Sequence, residues 1–291
     1  MKDIGFHTNC FIVFDFVPEN ELQTGRRLEE AINDSLIQTN SEMMCFRHRC
    51  PNKQSFLREL DNLSYLVEKK GIFPYVHIEG HGSPEKLELL DGSTVLWSEV
   101  FEKFRAINIL SKNNLFFSSG ACNSAYSMAS VTSICKASPV YGLLAPEKIV
   151  QAGSVQDGFV AFYQSLILTG SLNSAFSVFT DKANGKDYAL IFSDLLFEKV
   201  AFKYLTEQCM GKGRKKRLEN VLTEAMKKVD MPLHKARKEL KKQLQGPQAL
   251  ALKRFYEKFM IIDIHPENGN RFKFDFVKFE RDVKQGKIKI T

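Results

Sequence analysis

IFPYVHIEGHG (residues 72–82) and NLFFSSGAC (residues 114–122) are short apolar runs that stop abruptly at small and polar residues. Each is rich in aromatic or β-branched residues, too short for a core helix, and reads as a buried strand. The first ends in Gly80-His81-Gly82 and the second in Gly120-Ala121-Cys122. Two strands of one sheet would therefore each deliver a reactive side chain at the carboxyl end.

The flanking sequence supplies the rest of that sheet. CFIVFDFV at 10–17 is a further buried strand, 43–50 another, and 139–144 a fifth. Between them lie helical patterns. Leu22, Leu28, Ile32 and Leu36 follow the first strand. Phe56, Leu57, Leu60, Leu63, Leu66 and Val67 follow the second, with Asn52 as N-cap and Gly71 as terminator. Val100, Phe101, Phe104 and Ile107 precede the 114–118 strand, and helices are expected from Ser124 toward Cys135, over 159–168 and over 171–180. The stretch 87–97, LELLDGSTVLW, carries an Asp91-Gly92 hairpin signal. Strands alternating with helices predict an α/β fold, a doubly wound and mostly parallel sheet flanked by helices.

Beyond about residue 190 the pattern changes. Residues 192–205, 218–244 and 248–259 read as helices. Residues 260–265 and 271–279 read as two strands of a β-hairpin, with Phe272, Phe274 and Phe276 alternating onto one face. The expected organisation is a core over 1–190 and a C-terminal helical and β-hairpin extension over 191–291. The extension also carries the charge. The chain is +7 overall, but residues 211–242 alone hold 12 Lys/Arg against 4 Asp/Glu, and the remainder is −1. A nucleic-acid or acidic partner is therefore expected only for 211–242, not for the core. That segment lacks interleaved aromatics, and 211–217 reads first as a solvated loop leading into a helix.

No stretch approaches the roughly 18 apolar residues of a membrane span. The six cysteines show no CxxC pairing and no dense disulfide framework, which points to a reducing, cytoplasmic setting.

The chemistry lies at the two strand ends. In an open α/β sheet, ligands bind beyond the carboxyl ends of the strands, so His81 and Cys122, 41 residues apart, would face one crevice. Cysteine and histidine so disposed make a thiolate–imidazolium pair, the working form of a cysteine nucleophile. A helix starting just after Cys122 would favour the thiolate through its N-terminal dipole. The glycine at 82 leaves room for a substrate backbone, and its N–H can face a developing oxyanion.

An apolar strand ending in His-Gly, followed by one ending in Ala-Cys, resembles the caspase-like cysteine endopeptidases. The context is most similar to their bacterial CHAT branch, the caspase-like peptidases associated with tetratricopeptide repeats. His81-Gly82 is followed by the 87–97 hairpin, and Cys122-Asn123-Ser124 supplies a Cys-x-Ser. A further strand at 140–144 and the aromatic pair Phe162-Tyr163 complete a resemblance over roughly residues 8–180. The Gln-Ala-Cys-Arg-Gly of true caspases is absent, so their requirement for aspartate is not implied. After the fifth strand the chain reads Ala145-Pro146-Glu147-Lys148, where many CHAT members carry a turn with tryptophan and aspartate.

The resemblance implies a caspase-like fold and a cysteine endopeptidase that cuts a protein or peptide substrate. Cys122 would be the nucleophile and His81 the acid, with the N–H groups of Gly82 and Cys122 on the oxyanion and no cofactor. It also implies a regulated effector of bacterial antiviral defence, released by a sensor or activator partner. Glu79 and Glu147 are the candidates for substrate binding.

Other readings compete. Either reactive residue alone would read as a core thiol or a satisfied polar histidine. The fold could serve as a catalytically inactive adaptor. His77, Glu79 and His81, two apart on a strand, share a face and could form a metal-dependent hydrolase site with Cys122 as fourth ligand.

Overall fold

The computed structural model describes residues 7–128, 133–227 and 231–288. Strands β1 (Cys10–Asp15), β2 (Met44–His48), β3 (Pro74–Glu79), β4 (Lys86–Glu88), β5 (Thr94–Leu96), β6 (Phe116–Ser119), β7 (Gly142–Pro146) and β8 (Tyr188–Phe192) follow in chain order. Six of them form one sheet in the order β2-β1-β3-β6-β7-β8, and β4 with β5 makes a separate hairpin. Every neighbouring pair in the large sheet is parallel except β7 and β8.

Every residue of β1 is buried. Its side chains divide between two apolar clusters, with Phe11 and Val13 on one face and Cys10, Ile12 and Phe14 on the other. A strand covered on both faces reads as a continuous apolar run, hence CFIVF without polar alternation. In β3, Tyr75 faces the first cluster while Val76 and Ile78 face the second; in β6, Phe116 and Phe117 divide the same way.

Helices cover both faces. The first cluster is closed by α1 (Thr24–Gln38), through Leu28, Ile32 and Leu36. The second is closed by α2 (Lys53–Lys70) and α3 (Trp97–Leu110), through Phe56, Leu60, Phe101 and Phe104. On the first face α4 (Ala152–Thr169) adds Phe159, Phe162 and Tyr163, and α5 (Leu172–Ala183) adds Phe179. Each fully buried aromatic of this kind contributes about 1.5–3 kcal/mol. The expected caps form: Asn52 and Ser55 make a reciprocal capping box on α2, and Gly71 terminates it at φ 65°. Gly92 turns the β4–β5 hairpin at φ 79°.

The alternating α/β order and the parallel sheet match the sequence reading. Strand β8 was not expected, because YALIF merges into the helical pattern that follows it. Helix α6 (Ser193–Lys203) runs on into one π-helical turn, Tyr204–Cys209. The basic stretch expected as a loop is the start of α7 (Gly211–Met226), and the expected 218–244 helix is divided between α7 and α8 (Leu233–Gln245). Lys and Arg are good helix formers. Gly213 also passes so close to the Glu207 carbonyl that no β-carbon fits there.

The expected C-terminal hairpin is overturned. After α9 (Ala249–Phe259) comes the short α10 (Asn268–Arg271), and then α11 (Phe276–Lys284). Only 272–275 are extended, and they pair with no strand among the described residues. Asp275 accepts the Lys278 N–H as the N-cap of α11, and Phe279 and Val283 then bury at helical rather than strand spacing. Phe197 of α6 packs on Tyr256, Phe259 and Phe274, joining this part to the first cluster. No helix among the described residues is long and apolar enough to cross a membrane.

Candidate active site

Strand β1 pairs in parallel with β2 on one side and β3 on the other, so the order in which strands are added reverses between β1 and β3. Such a switch point opens a crevice at the carboxyl ends of the strands. A cleft of about 100 Å³ lies there, lined by Val17, Glu21, Leu22, Thr24, Glu79, Gly80, His81, Gly120, Cys122, Val150, Ala152 and Val155. At roughly 30 Å³ per water, it holds one amino-acid side chain rather than a large cofactor.

The cleft contains both predicted reactive residues. His81 follows β3 and is exposed; its Nε2 faces the Glu21 carboxylate at 2.9 Å. Cys122 follows β6 and is half-buried, with its Sγ on the Val150 peptide: the Val150 N–H donates to it at 3.5 Å. Among the described contacts the two side chains do not bond each other. The expected helix after Cys122 is only in part within view. Ser124–Tyr126 is a single 3-10 turn, and residues 129–132 lie outside the described residues, so no helix dipole is assigned to the sulfur.

Gly82 lies against the cysteine backbone. A β-carbon there would stand 2.9 Å from Ala121 Cβ and 3.2 Å from the Cys122 carbonyl oxygen, so only glycine fits. It bridges Leu87 as a non-hydrogen-bonded pair, flanked by Ser83 N–H donating to Lys86 and Glu88 N–H donating to His81. Its own N–H therefore points away from the hairpin. Neither the Gly82 nor the Cys122 N–H donates to an acceptor among the described residues.

Behind His81 lies a second, buried histidine with a different role. His77 Nε2 meets Glu79 Oε1 at 2.9 Å, and its Nδ1 meets Ser118 Oγ at 2.6 Å and the Tyr163 hydroxyl at 3.2 Å. Phe159 packs edge-on against its ring. Thr24 Oγ1 donates to the other oxygen of Glu79 at 2.9 Å. Both ring nitrogens of His77 are occupied and His81 turns to Glu21, so the three residues of the metal reading do not converge. No group of three or more His, Cys, Asp or Glu among the described residues is disposed to hold a metal ion. Glu147 is exposed, just past β7, and does not line the cleft.

Sequence reasoning passed over Glu21, Thr24 and Val150. Glu21 was the one within reach. It lies in the acidic loop Pro18-Glu19-Asn20-Glu21 that follows β1, and the switch-point rule places that loop beside the end of β3. Val150 carries no signal, because it acts through its backbone.

Burial pushes Cys10 and Cys50 up to about 11, and burial with the nearby Glu29 carboxylate pushes Cys45 up to about 12. All six cysteines are unpaired.

No protein-family model matches this chain, and no curated protein sequence matches it.

Proposed function

We propose that the chain is a cysteine endopeptidase with a caspase-like fold and a Cys122–His81 dyad. The observation that carries this reading is the meeting of the two residues in one side-chain-sized cleft at the switch point, each held by its own partner. Glu21 on Nε2 leaves Nδ1 of His81 for the substrate. Cys122, as thiolate, attacks the scissile carbonyl carbon and forms a C–S bond, while the free N–H groups of Gly82 and Cys122 receive the oxyanion. The imidazolium of His81 passes its proton to the amide nitrogen, the C–N bond breaks, and the amine leaves. Water then gives a proton to His81 and hydroxide to the acyl carbon, and the thiolate returns. The net change is one peptide bond and one water consumed, with no cofactor. The dyad is not hydrogen-bonded at rest; the substrate lies between the two groups.

The test is labelling with a thiol-directed peptide electrophile, followed by intact mass and peptide mapping. Cys122 is expected to react faster than the exposed Cys135 and faster than Cys209, and His81→Ala should remove the advantage. Equal rates at Cys122 and Cys135 on an activated sample would leave an inactive adaptor as the better reading.

A further inference from the structure

The floor of the cleft carries a feature that the dyad does not use. Glu79 is 3 % exposed, yet its carboxylate lines the cleft beside Cys122. The fold is thinned to admit it: a β-carbon on Gly120, two residues before the nucleophile, would stand 2.5 Å from Glu79 Oε2. One oxygen takes His77 and the other takes Thr24. The hydroxyls of His77's other neighbours, Ser118 and Tyr163, lie within hydrogen-bond reach of its Nδ1. Each carboxylate oxygen keeps a further lone pair.

His81, the one imidazole that lines the cleft, is turned to Glu21 rather than to Glu79. Glu21 stands at the rim, and no Lys or Arg lines the cleft. The walls are apolar or small: Val17, Leu22, Gly80, Gly120, Val150, Ala152 and Val155. A second polar group nearby is also unmet. The Tyr188 hydroxyl is buried and has no hydrogen-bond partner. Burial first, and then the nearby Glu79 and Cys122 charges, push its pKa up. A buried carboxylate at the base of a narrow apolar slot is a strong preference for a cation, because an uncharged or acidic occupant would leave it desolvated and uncompensated.

We propose that this cleft is the pocket for the residue preceding the scissile bond, that it selects lysine or arginine, and that Glu79 is its specificity-determining group. The aliphatic stem lies along the valine and leucine walls, and the cationic head reaches the Glu79 carboxylate. Glu21 at the rim excludes acidic side chains. This rests on the endopeptidase reading above.

The experiment uses four peptidyl acyloxymethyl ketones, identical except for Lys, Arg, Leu or Asp at the residue next to the warhead. Rates of Cys122 labelling are read by peptide mapping. The Lys or Arg probe is expected to lead Leu by about 10-fold or more, and Asp by a wider margin. Glu79→Gln should reduce the Lys-over-Leu ratio to below about 3-fold. Thr24→Val removes a structural partner of Glu79 but keeps its charge, so the ratio should survive in that variant. A faster Leu or Asp probe on the wild-type chain, or an unchanged ratio in Glu79→Gln, would overturn the specificity and leave the nucleophile standing. If no probe labels Cys122 faster than Cys135, the endopeptidase reading itself fails.

Discussion

The two ends of the parallel sheet carry cavities of opposite character. At the carboxyl ends of the strands the cleft is about 100 Å³ and is shaped by Gly80, Gly120 and the loops carrying His81 and Cys122. At the other end, where Tyr141 leads into β7 and Phe192 closes β8, a cavity of about 450 Å³ is lined by Tyr141, Phe192, Tyr256, Phe272 and Phe274, with Asp194, Glu198, Arg271 and Lys273. Arg271 there stacks over Phe272 and Tyr141 and donates to the carbonyls of Lys112 and Asn113. The larger space is a seam between the C-terminal helices and the sheet, and its polar groups tie elements together. The smaller one is lined by both a thiol and an imidazole, and the Gly82 and Cys122 N–H groups have no acceptor among the described residues.

This contrast predicts that variants at the two ends separate cleanly. Cys122→Ala or His81→Ala should lower peptide-cleavage kcat by about 10³-fold or more and leave the melting curve nearly unchanged. Lys273→Ala in the far cavity should leave kcat within about 2-fold. A Lys273→Ala loss comparable to that of Cys122→Ala would reverse the assignment of the two ends.

Stability should follow the opposite pattern. Phe197→Ala empties the aromatic cluster with Tyr256, Phe259 and Phe274, at about 3–5 kcal/mol by chemical denaturation. In the folded fraction, Cys122 labelling should proceed at the wild-type rate. A smaller effect is expected at Glu280, 5 % exposed, whose carboxylate accepts the Gln248 N–H at 3.0 Å and the Ala249 N–H at 2.8 Å. Burial would raise its pKa, but the Gln248 N–H, Lys284 and the Ala249 N–H outweigh burial and lower it. A lowered folded value means the contribution is present above the unfolded glutamate value near 4.3 and is lost as pH falls through the folded one. Glu280→Gln should therefore cost about 1–3 kcal/mol at pH 7, with the gap to wild type closing below about pH 4. A gap independent of pH would assign the loss to packing instead.

How much of this was legible in the sequence follows the same division. The parallel core was readable because β1 is an uninterrupted apolar run, short apolar runs mark β3, β6 and β7, and the helices between them carry apolar stripes. That His81 and Cys122 would line one crevice was readable because a strand end fixes where the next side chain emerges. The C-terminal part was misread at Phe272, Phe274 and Phe276. Their alternation is genuine over four residues, but Asp275 then caps a helix, and a local cap outweighs a short period-two pattern. The competing metal reading of His77, Glu79 and His81 fails for a related reason. The period of two holds through Glu79, where β3 ends, and the chain turns at Gly80, φ 151°, so His81 leaves the face it was assigned to. Val150 was out of reach of local pattern, because it comes to the site from another element and acts through its backbone.

Glu21 offers an intermediate effect within the crevice itself. Its carboxylate orients His81, but both side chains are largely exposed, so Glu21→Gln should cost under about 1 kcal/mol in stability. Its mark should be in catalysis, about 3–10-fold in kcat with KM little changed for a substrate lacking an acidic residue at the cut. An equal loss in KM alone would make Glu21 a binding group rather than one that orients the imidazole.

The smallest expected effect concerns the charge that dominates the composition. Lys212, Arg214, Lys215 and Lys216 are exposed on α7 and form no ion pair among the described residues. Arg217 is different: its guanidinium lies over the Tyr204 ring at 5.0 Å and donates to Cys209 Sγ at 3.2 Å, so it belongs to the packing of the π-helical turn. Neutralising the first four to Gln while keeping Arg217 should therefore change stability by less than about 1 kcal/mol and leave Cys122 labelling unchanged. Adding Arg217→Gln to that variant should lower the melting temperature further, because a stacked and hydrogen-bonded guanidinium is lost rather than a solvated charge. Were the four-residue variant to slow Cys122 labelling, the basic helix would act on the crevice, and the separation of the two regions would break.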